Sequence, residues 1–346
     1  MLWFQHLSPT QQFLIVSVIK IVCVFCVVMA AVAYSVLAER KVSACIQNRH
    51  GPNRVGPFGL FQPVADGVKA FLKEDFVPGH VRRAYFWLAP MVSMTPALLV
   101  LAVIPFGSKL GAEKMVIADL NVGILYTFGI VSLGVYGIVL AGYASNSKYP
   151  FLGGIRSGAQ MISYEIAMGM SVIPVFLIVG DLNLSQVIQY QAEHGWLVLY
   201  APLSFVIFLI SAFAETNRLP FDMPESEQEL VGGYHTEYSS MKFALFFMGE
   251  YANMIAASAM MVTLFLGGWT LPLAGLDRPA SSIVLGVAHI VIFMVKVAVL
   301  MGMFIWVRWM WPRFRYDQLM DLGWRRFLPL ALANIVVTAA WLWMRG

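Results

Sequence analysis

The stretch Ala214-Glu-Thr-Asn-Arg-Leu-Pro-Phe-Asp-Met-Pro-Glu-Ser-Glu-Gln-Glu-Leu-Val-Gly-Gly-Tyr-His-Thr-Glu-Tyr238 is an acidic segment set between two long apolar runs, residues 195–214 and 241–269. Glu215, Asp222, Glu225, Glu227, Glu229 and Glu237 are six of the 19 carboxylates in the chain, and Glu250 lies inside the apolar run that follows. Acids crowded between runs long enough to cross a bilayer point to proton or cation handling beside a membrane.

Outward from this segment the apolar runs recur, at 13–37, 86–106, 121–143, 158–180, 195–214, 241–269, 282–307 and 327–344. Hydrophobic residues make up 59% of the 346 and charged ones 12%, against roughly a quarter charged in soluble domains. The spacing predicts an all-α fold, a polytopic transmembrane helix bundle of about eight spans. With no internal repeat and no low-complexity linker, residues 1–346 read as a single membrane domain with loops 38–85, 144–157, 215–240 and 308–326 on one side. No positive charge precedes Phe13, so the first run reads as a retained helix and not a signal peptide. Pro90, Pro96, Pro174 and Pro202 fall within runs and are expected to kink them.

Of the 23 lysines and arginines, 17 fall in the loops after runs 1, 3, 5 and 7 and only Lys109, Lys114, Arg278 and Arg345 on the opposite side. Lys20 and Lys296 lie inside spans. Positive charge marks the inner face, which places the large loops there and both termini outside. The first inner loop carries Glu39, Arg40, Lys41 and a Gly- and Pro-rich block, Asn48–Pro57. Beyond it Phe61, Val64, Val68, Phe71 and Leu72 recur at helical spacing with Asp66, Lys69 and Lys73 elsewhere on the surface. That pattern predicts an amphipathic helix in the membrane interface, held by lipid headgroups or forming one wall of an opening for a lipid-soluble ligand.

A charge at the bilayer centre costs about 2.5 kcal/mol or more, so an acid in a span faces a polar interior or takes up a proton. Glu165 sits in the fourth run, Glu250 in the sixth, and Glu215 at the inner end of the fifth. An ion pair, with Lys296 as a candidate partner, or an interhelical hydrogen bond would also account for each. Ser226-x-x-Glu229 has the form of a capping box, with Glu227 in the first helical turn. This explains part of the acidic segment and leaves Asp222, Glu225, Glu237 and Glu250 without a reason.

Other chemistries are excluded by what the chain lacks. Cys23, Cys26 and Cys45 are too few for a four-thiolate cluster, and Cys23-x-x-Cys26 lies in an apolar helix where core packing is the expected role. Only His289 lies well inside a span, so a haem held by two facing histidines has no ligands. No dinucleotide fingerprint or Walker sequence is present, and the basic loops carry no nucleic-acid motif.

Four blocks carry a resemblance: Ala38-Glu-Arg-Lys41; Asn48–Lys69 with Lys73-Glu-Asp75; Ala214–Asp222 with Glu225-x-Glu-x-Glu-Leu-Val-Gly-Gly233; and Phe246-Phe-Met-Gly-Glu-Tyr251. Nearly the whole chain resembles the H subunit of the proton-translocating NADH:quinone oxidoreductase, respiratory complex I, the counterpart of mitochondrial NADH dehydrogenase subunit 1. The resemblance implies a membrane subunit without a redox centre, which joins the electron-carrying arm to the membrane arm and forms most of the tunnel for quinone, ubiquinone being the expected species. It implies that Glu39, Arg40, Arg49, Asp66, Arg218, Phe221 and Asp222 line or border that tunnel. The acidic relay maps onto Asp75, Glu165, Glu215 and Glu250, with Glu225, Glu227 and Glu229 in the loop between. Implied partners are the hydrophilic quinone-site and iron–sulfur subunits on the inner face, small and antiporter-like subunits in the membrane, and lipid. FMN and the iron–sulfur clusters belong to those partners, and the implied location is the bacterial inner membrane, with the mitochondrial inner membrane as the alternative. Two rivals stay open: the related membrane subunit of an energy-converting hydrogenase, and a stand-alone ion or solute transporter, which the missing inverted repeat weakens.

Overall fold

Eight helices fall on the eight apolar runs in the computed structural model, which describes residues 8–111, 113–224, 227–272 and 275–345. In chain order the helices are α1 (Pro9–Ile46), α2 (Gln62–Leu72), α3 (Arg83–Val100), α4 (Gly123–Ala144), α5 (Lys148–Val179), α6 (Leu184–His194), α7 (Pro202–Glu215), α8 (Ser240–Phe265), α9 (Ile283–Met310), α10 (Tyr316–Asp321) and α11 (Leu328–Arg345). A two-stranded hairpin, β1 (Lys109–Leu110) and β2 (Glu113–Lys114), is the sheet structure found among the described residues. Six segments are long and apolar enough to cross a membrane: α1, α4, α5, α8, α9 and the stretch Tyr316–Arg345. The remaining two of the eight are shorter. α7 has 14 residues, about 21 Å of helix against a hydrocarbon core of about 30 Å, and α3 has 18 residues with two prolines.

Burial orders the bundle. In α8 67% of the most apolar window is buried inside the protein, against 6% in α1, so α8 is the central helix and α1 lies at the edge. Around α8 the core stacks aromatic rings, Phe213 on Phe304 at 4.0 Å between centroids and Phe205 and Phe208 against Phe265 at 5.5 and 5.7 Å. Offset and edge contacts of this kind add to the area buried.

Several boundaries differ from the sequence reading, each with a physical cause. α1 continues through Glu39 and Arg40 to Ile46, because Ala38–Ile46 contains no glycine or proline to stop it. Glu39 is therefore a buried helix residue, not a loop residue. α5 begins at Lys148, which reduces the 144–157 loop to a tight connection. Pro202 opens α7 at its first turn, where its missing N–H leaves no bond unmade, so it starts a helix and kinks none. Pro90, Pro96 and Pro174 lie inside continuous helices. Cys23 and Cys26 face outward from α1 as exposed free thiols, which corrects the expected core role.

The amphipathic helix forms where the spacing placed it. α2 buries no residue, and Phe61, Val64, Val68 and Phe71 are all exposed. Its last turn is tied to the start of α8, since Ser240 Oγ lies 2.9 Å from the carbonyl oxygens of both Ala70 and Lys73. The loops gather at two ends of the bundle. Arg218 after α7 reaches Glu39, about two turns before the end of α1, and Phe314 N–H donates to Pro220 O. At the opposite end Lys20 pairs with Glu113 at 3.0 Å, and Asp119 accepts from Asn183 and Ser185 at the start of α6.

Candidate functional site

The acidic segment folds back onto the bundle because a polar residue in a span holds it. Gln160, buried in α5, donates from Nε2 to Ala214 O at 2.6 Å and to Phe221 O at 2.7 Å. An amide in an apolar run must find such partners, and these fix both ends of residues 214–221. Phe221 is buried and stacks on Phe314 at 5.4 Å, with Tyr164 5.7 Å away. Arg218 is thereby carried into the interior.

Arg218 is the hub. Its side chain is 5% exposed; Nη2 lies 2.8 Å from Glu39 Oε2 and Nε lies 3.1 Å from Glu250 Oε1. Tyr251 O–H donates to the same Glu39 oxygen at 2.6 Å, and the guanidinium sits 4.6 Å over the Tyr251 ring. Arg308, at the end of α9, pairs with the other Glu39 oxygen. Arg313 pairs with Asp222 at 2.7 Å, and Asp222 is within electrostatic reach of Glu250. Three arginines and three carboxylates from α1, α8, α9 and two loops thus form one network, buried at Glu39, Arg218 and Asp222 and half-buried at Arg308 and Arg313. Charges away from water are tolerated only in such company.

Beside this network lies a small polar cavity lined by Glu215, Glu250, Ser93, Thr216, Asn217, Tyr234 and Asn253 among others. A second small cavity shares Met161, Glu215, Thr216 and Asn253 with it and is otherwise mostly apolar, with Phe128, Phe208 and Met260 in its wall. Glu215 stands where the two meet, and Glu165 is within electrostatic reach of it. One wall of the first cavity is set by main-chain contact. A Cβ on Gly153 of α5 would sit 3.0 Å from Gly233 Cα and from Tyr234 N, so a hydrogen there is what lets Tyr234 lie in the cavity wall.

The remaining sequence candidates divide. Asp75 pairs with the buried Lys242 at 2.7 Å at the start of α8, eight residues before Glu250 in the chain. Asp66 joins Arg40 at 2.7 Å on the exposed face between α1 and α2, outside the buried network. Arg49 is exposed and bonds Gln47 at 2.7 Å. Glu229 is exposed and pairs with Arg156 of α5 at 2.7 Å. Glu227 opens a single helical turn, Glu227–Leu230, while Glu225 and the capping Ser226 lie outside the described residues. Lys296 pairs with none of the span acids; it donates to backbone carbonyls.

Beyond the spans, burial acts on two groups of the acidic segment. His235, packed against Tyr234, Phe243 and Phe247, has its pKa pushed down to about 4 by desolvation, and the Tyr238 hydroxyl is pushed up for the same reason. Sequence reasoning missed Tyr251, Arg308, Arg313 and Gln160 as partners. Gln160 carried a signal, an amide inside an apolar run. The arginines carried none, since their charge at span ends already had a topological reason.

The fold and this site define an integral membrane protein whose interior holds a connected set of ionisable groups. The chain belongs to the NADH dehydrogenase family, whose sequence profile matches residues 19–339. It is similar to an H subunit of the NADH-quinone oxidoreductase of Cytophaga hutchinsonii, with 47% identity over 336 residues covering 95% of this chain and 97% of that protein. It is 52% identical to the NADH-quinone oxidoreductase H subunit of Paramagnetospirillum magneticum, covering 96% of this chain and 94% of that protein. With the corresponding H subunit of Rhodospirillum rubrum it shares 49% identity over 340 residues, 98% of this chain and 96% of that protein.

Proposed function

We propose that this chain is the membrane subunit of an NADH:quinone oxidoreductase that borders the quinone path and couples quinone reduction to proton translocation. The observation that carries the reading is the single cavity lined by both Glu215 and Glu250, with Glu250 tied through Arg218 to Glu39. Reduction of a quinone adds two electrons and takes up two protons. In surroundings of low dielectric such a change acts on acids several ångströms away far more strongly than in water. Glu39, Arg218 and Asp222 would sense it, Glu250 and Glu215 would exchange protons through the cavity, and Glu165 would pass the change onward. Asp75, Glu225, Glu227 and Glu229 would serve the same relay from the acidic loop and the end of α2, while Arg40, Arg49, Asp66 and Phe221 would border the path. The quinone, with ubiquinone the expected species, is substrate; FMN and iron–sulfur clusters reside in partner subunits docked on the face that carries Glu215–Tyr238. The chain would lie in the bacterial inner membrane with both termini periplasmic.

The test is proton translocation by the assembled complex in vesicles. Glu215→Gln and Glu250→Gln are each expected to abolish pumping coupled to NADH oxidation. An unchanged proton-to-electron ratio in both variants would remove these acids from the path.

A further inference from the structure

Lys296 lies in the middle of α9, and its ammonium is surrounded by backbone. Nζ lies 2.6 Å from Leu266 O, 3.0 Å from Gly268 O and 2.6 Å from Thr270 O. An ammonium has three protons and no acceptor, so three carbonyls match it one for one. The Trp196 ring lies 4.7 Å away, face toward the cation. Asp277 is within electrostatic reach, and its buried Oδ1 has no hydrogen-bond donor among the described residues.

The carbonyls converge because α8 ends abruptly. Gly267 and Gly268 take positive φ, +73° and +55°, which stops the helix at Phe265 and turns the chain back on itself. The carbonyls of such an end need donors, and within a membrane water does not supply them. Gln191 donates to Thr263 O at 2.9 Å and Val198 N–H to Phe265 O at 3.1 Å. Leu266, Gly268 and Thr270 are left for a cation, which the negative end of the helix dipole also favours.

We propose that the carbonyls of Leu266, Gly268 and Thr270, with the Trp196 face and Asp277, form a monovalent-cation site in which Lys296 is a tethered occupant. Carbonyl rings that replace a hydration shell bind free ammonium or potassium in the same way. The site closes the end of the helix that carries Glu250 and Tyr251. The inference does not rest on the proposed function, and its readout is occupancy, not turnover.

Lys296→Ala cuts the tether and leaves the oxygens in place. In the complex purified from membranes into buffer containing only a bulky organic cation, the variant is expected to unfold at lower temperature than the parent. Ammonium or potassium chloride should raise its midpoint in a saturable way and leave the parent unmoved, whereas tetramethylammonium chloride, too large for the cage, should not. Equal effects of ammonium and tetramethylammonium, or a variant as stable as the parent without added cation, would overturn the proposal. Should Lys296→Ala not accumulate, the amount of complex in membranes of cells grown with added methylammonium replaces the melting curve. Recovery supports the site, and no recovery overturns it.

Discussion

The two ends of α8 solve one problem in opposite ways. Near its start, the cation Arg218 meets the carboxylates Glu39 and Glu250; near its finish, the cation Lys296 meets carbonyl dipoles. Carboxylates can take up protons, so the network around Arg218 can change its net charge. Carbonyls cannot, so the main-chain partners of Lys296 keep their charge whatever the pH. The contrast separates partners that titrate from partners that do not, within a single helix of 26 residues.

The strongest challenge to this contrast is Arg218→Met. Removal of one partner from a buried pair costs about 3–5 kcal/mol, and here two carboxylates lose their shared cation. Loss of assembled complex is expected, read by native gel and thermal unfolding. Addition of Glu250→Gln, which leaves Glu39 to its other cation Arg308, should restore much of the stability. No side-chain replacement can do the same at Lys296, whose partners are main chain; a double variant no more stable than Arg218→Met would erase the distinction.

A smaller effect is expected from His235. Its folded pKa of about 4 lies below the ordinary value of 6.5, so the opened loop binds the extra proton. Docking of residues 233–238 is therefore fully favoured above about pH 6.5 and weakens as pH falls toward about 4. Hydrogen exchange of these amides, corrected for intrinsic rates, should show falling protection between about pH 7 and pH 5, and His235→Phe should flatten that profile.

The least effect is expected from Arg156→Gln. Its pair with Glu229 is solvent-exposed, the carboxylate by 61%, and exposed pairs contribute about 0.2–1 kcal/mol, less in salt. A change in melting temperature that persists at high salt would mean that the loop leans on this pair more than geometry implies.

The fold was legible to the extent that burial in lipid and burial in protein leave the same mark on a sequence. Phe61, Val64 and Val68 announced α2 through spacing, and every apolar run became a helix. What periodicity misses is where a helix stops, so Glu39 read as a loop residue although the helix runs on past it to Ile46. The acids of the site were legible because carboxylates in apolar runs demand an explanation. Their cations were not, since Arg308 and Arg313 sit where charge is expected anyway. Lys296 was visible as a charge in a span, but its partners are backbone atoms, which no side-chain pattern can display.

Gly153 gives the cavity a property that its polar lining alone would not. With main chain against main chain at that point, one added methyl would press the Gly233–Tyr234 backbone outward by a few tenths of an ångström. One wall of the most charged compartment is thus seated against an atom that the chain omits.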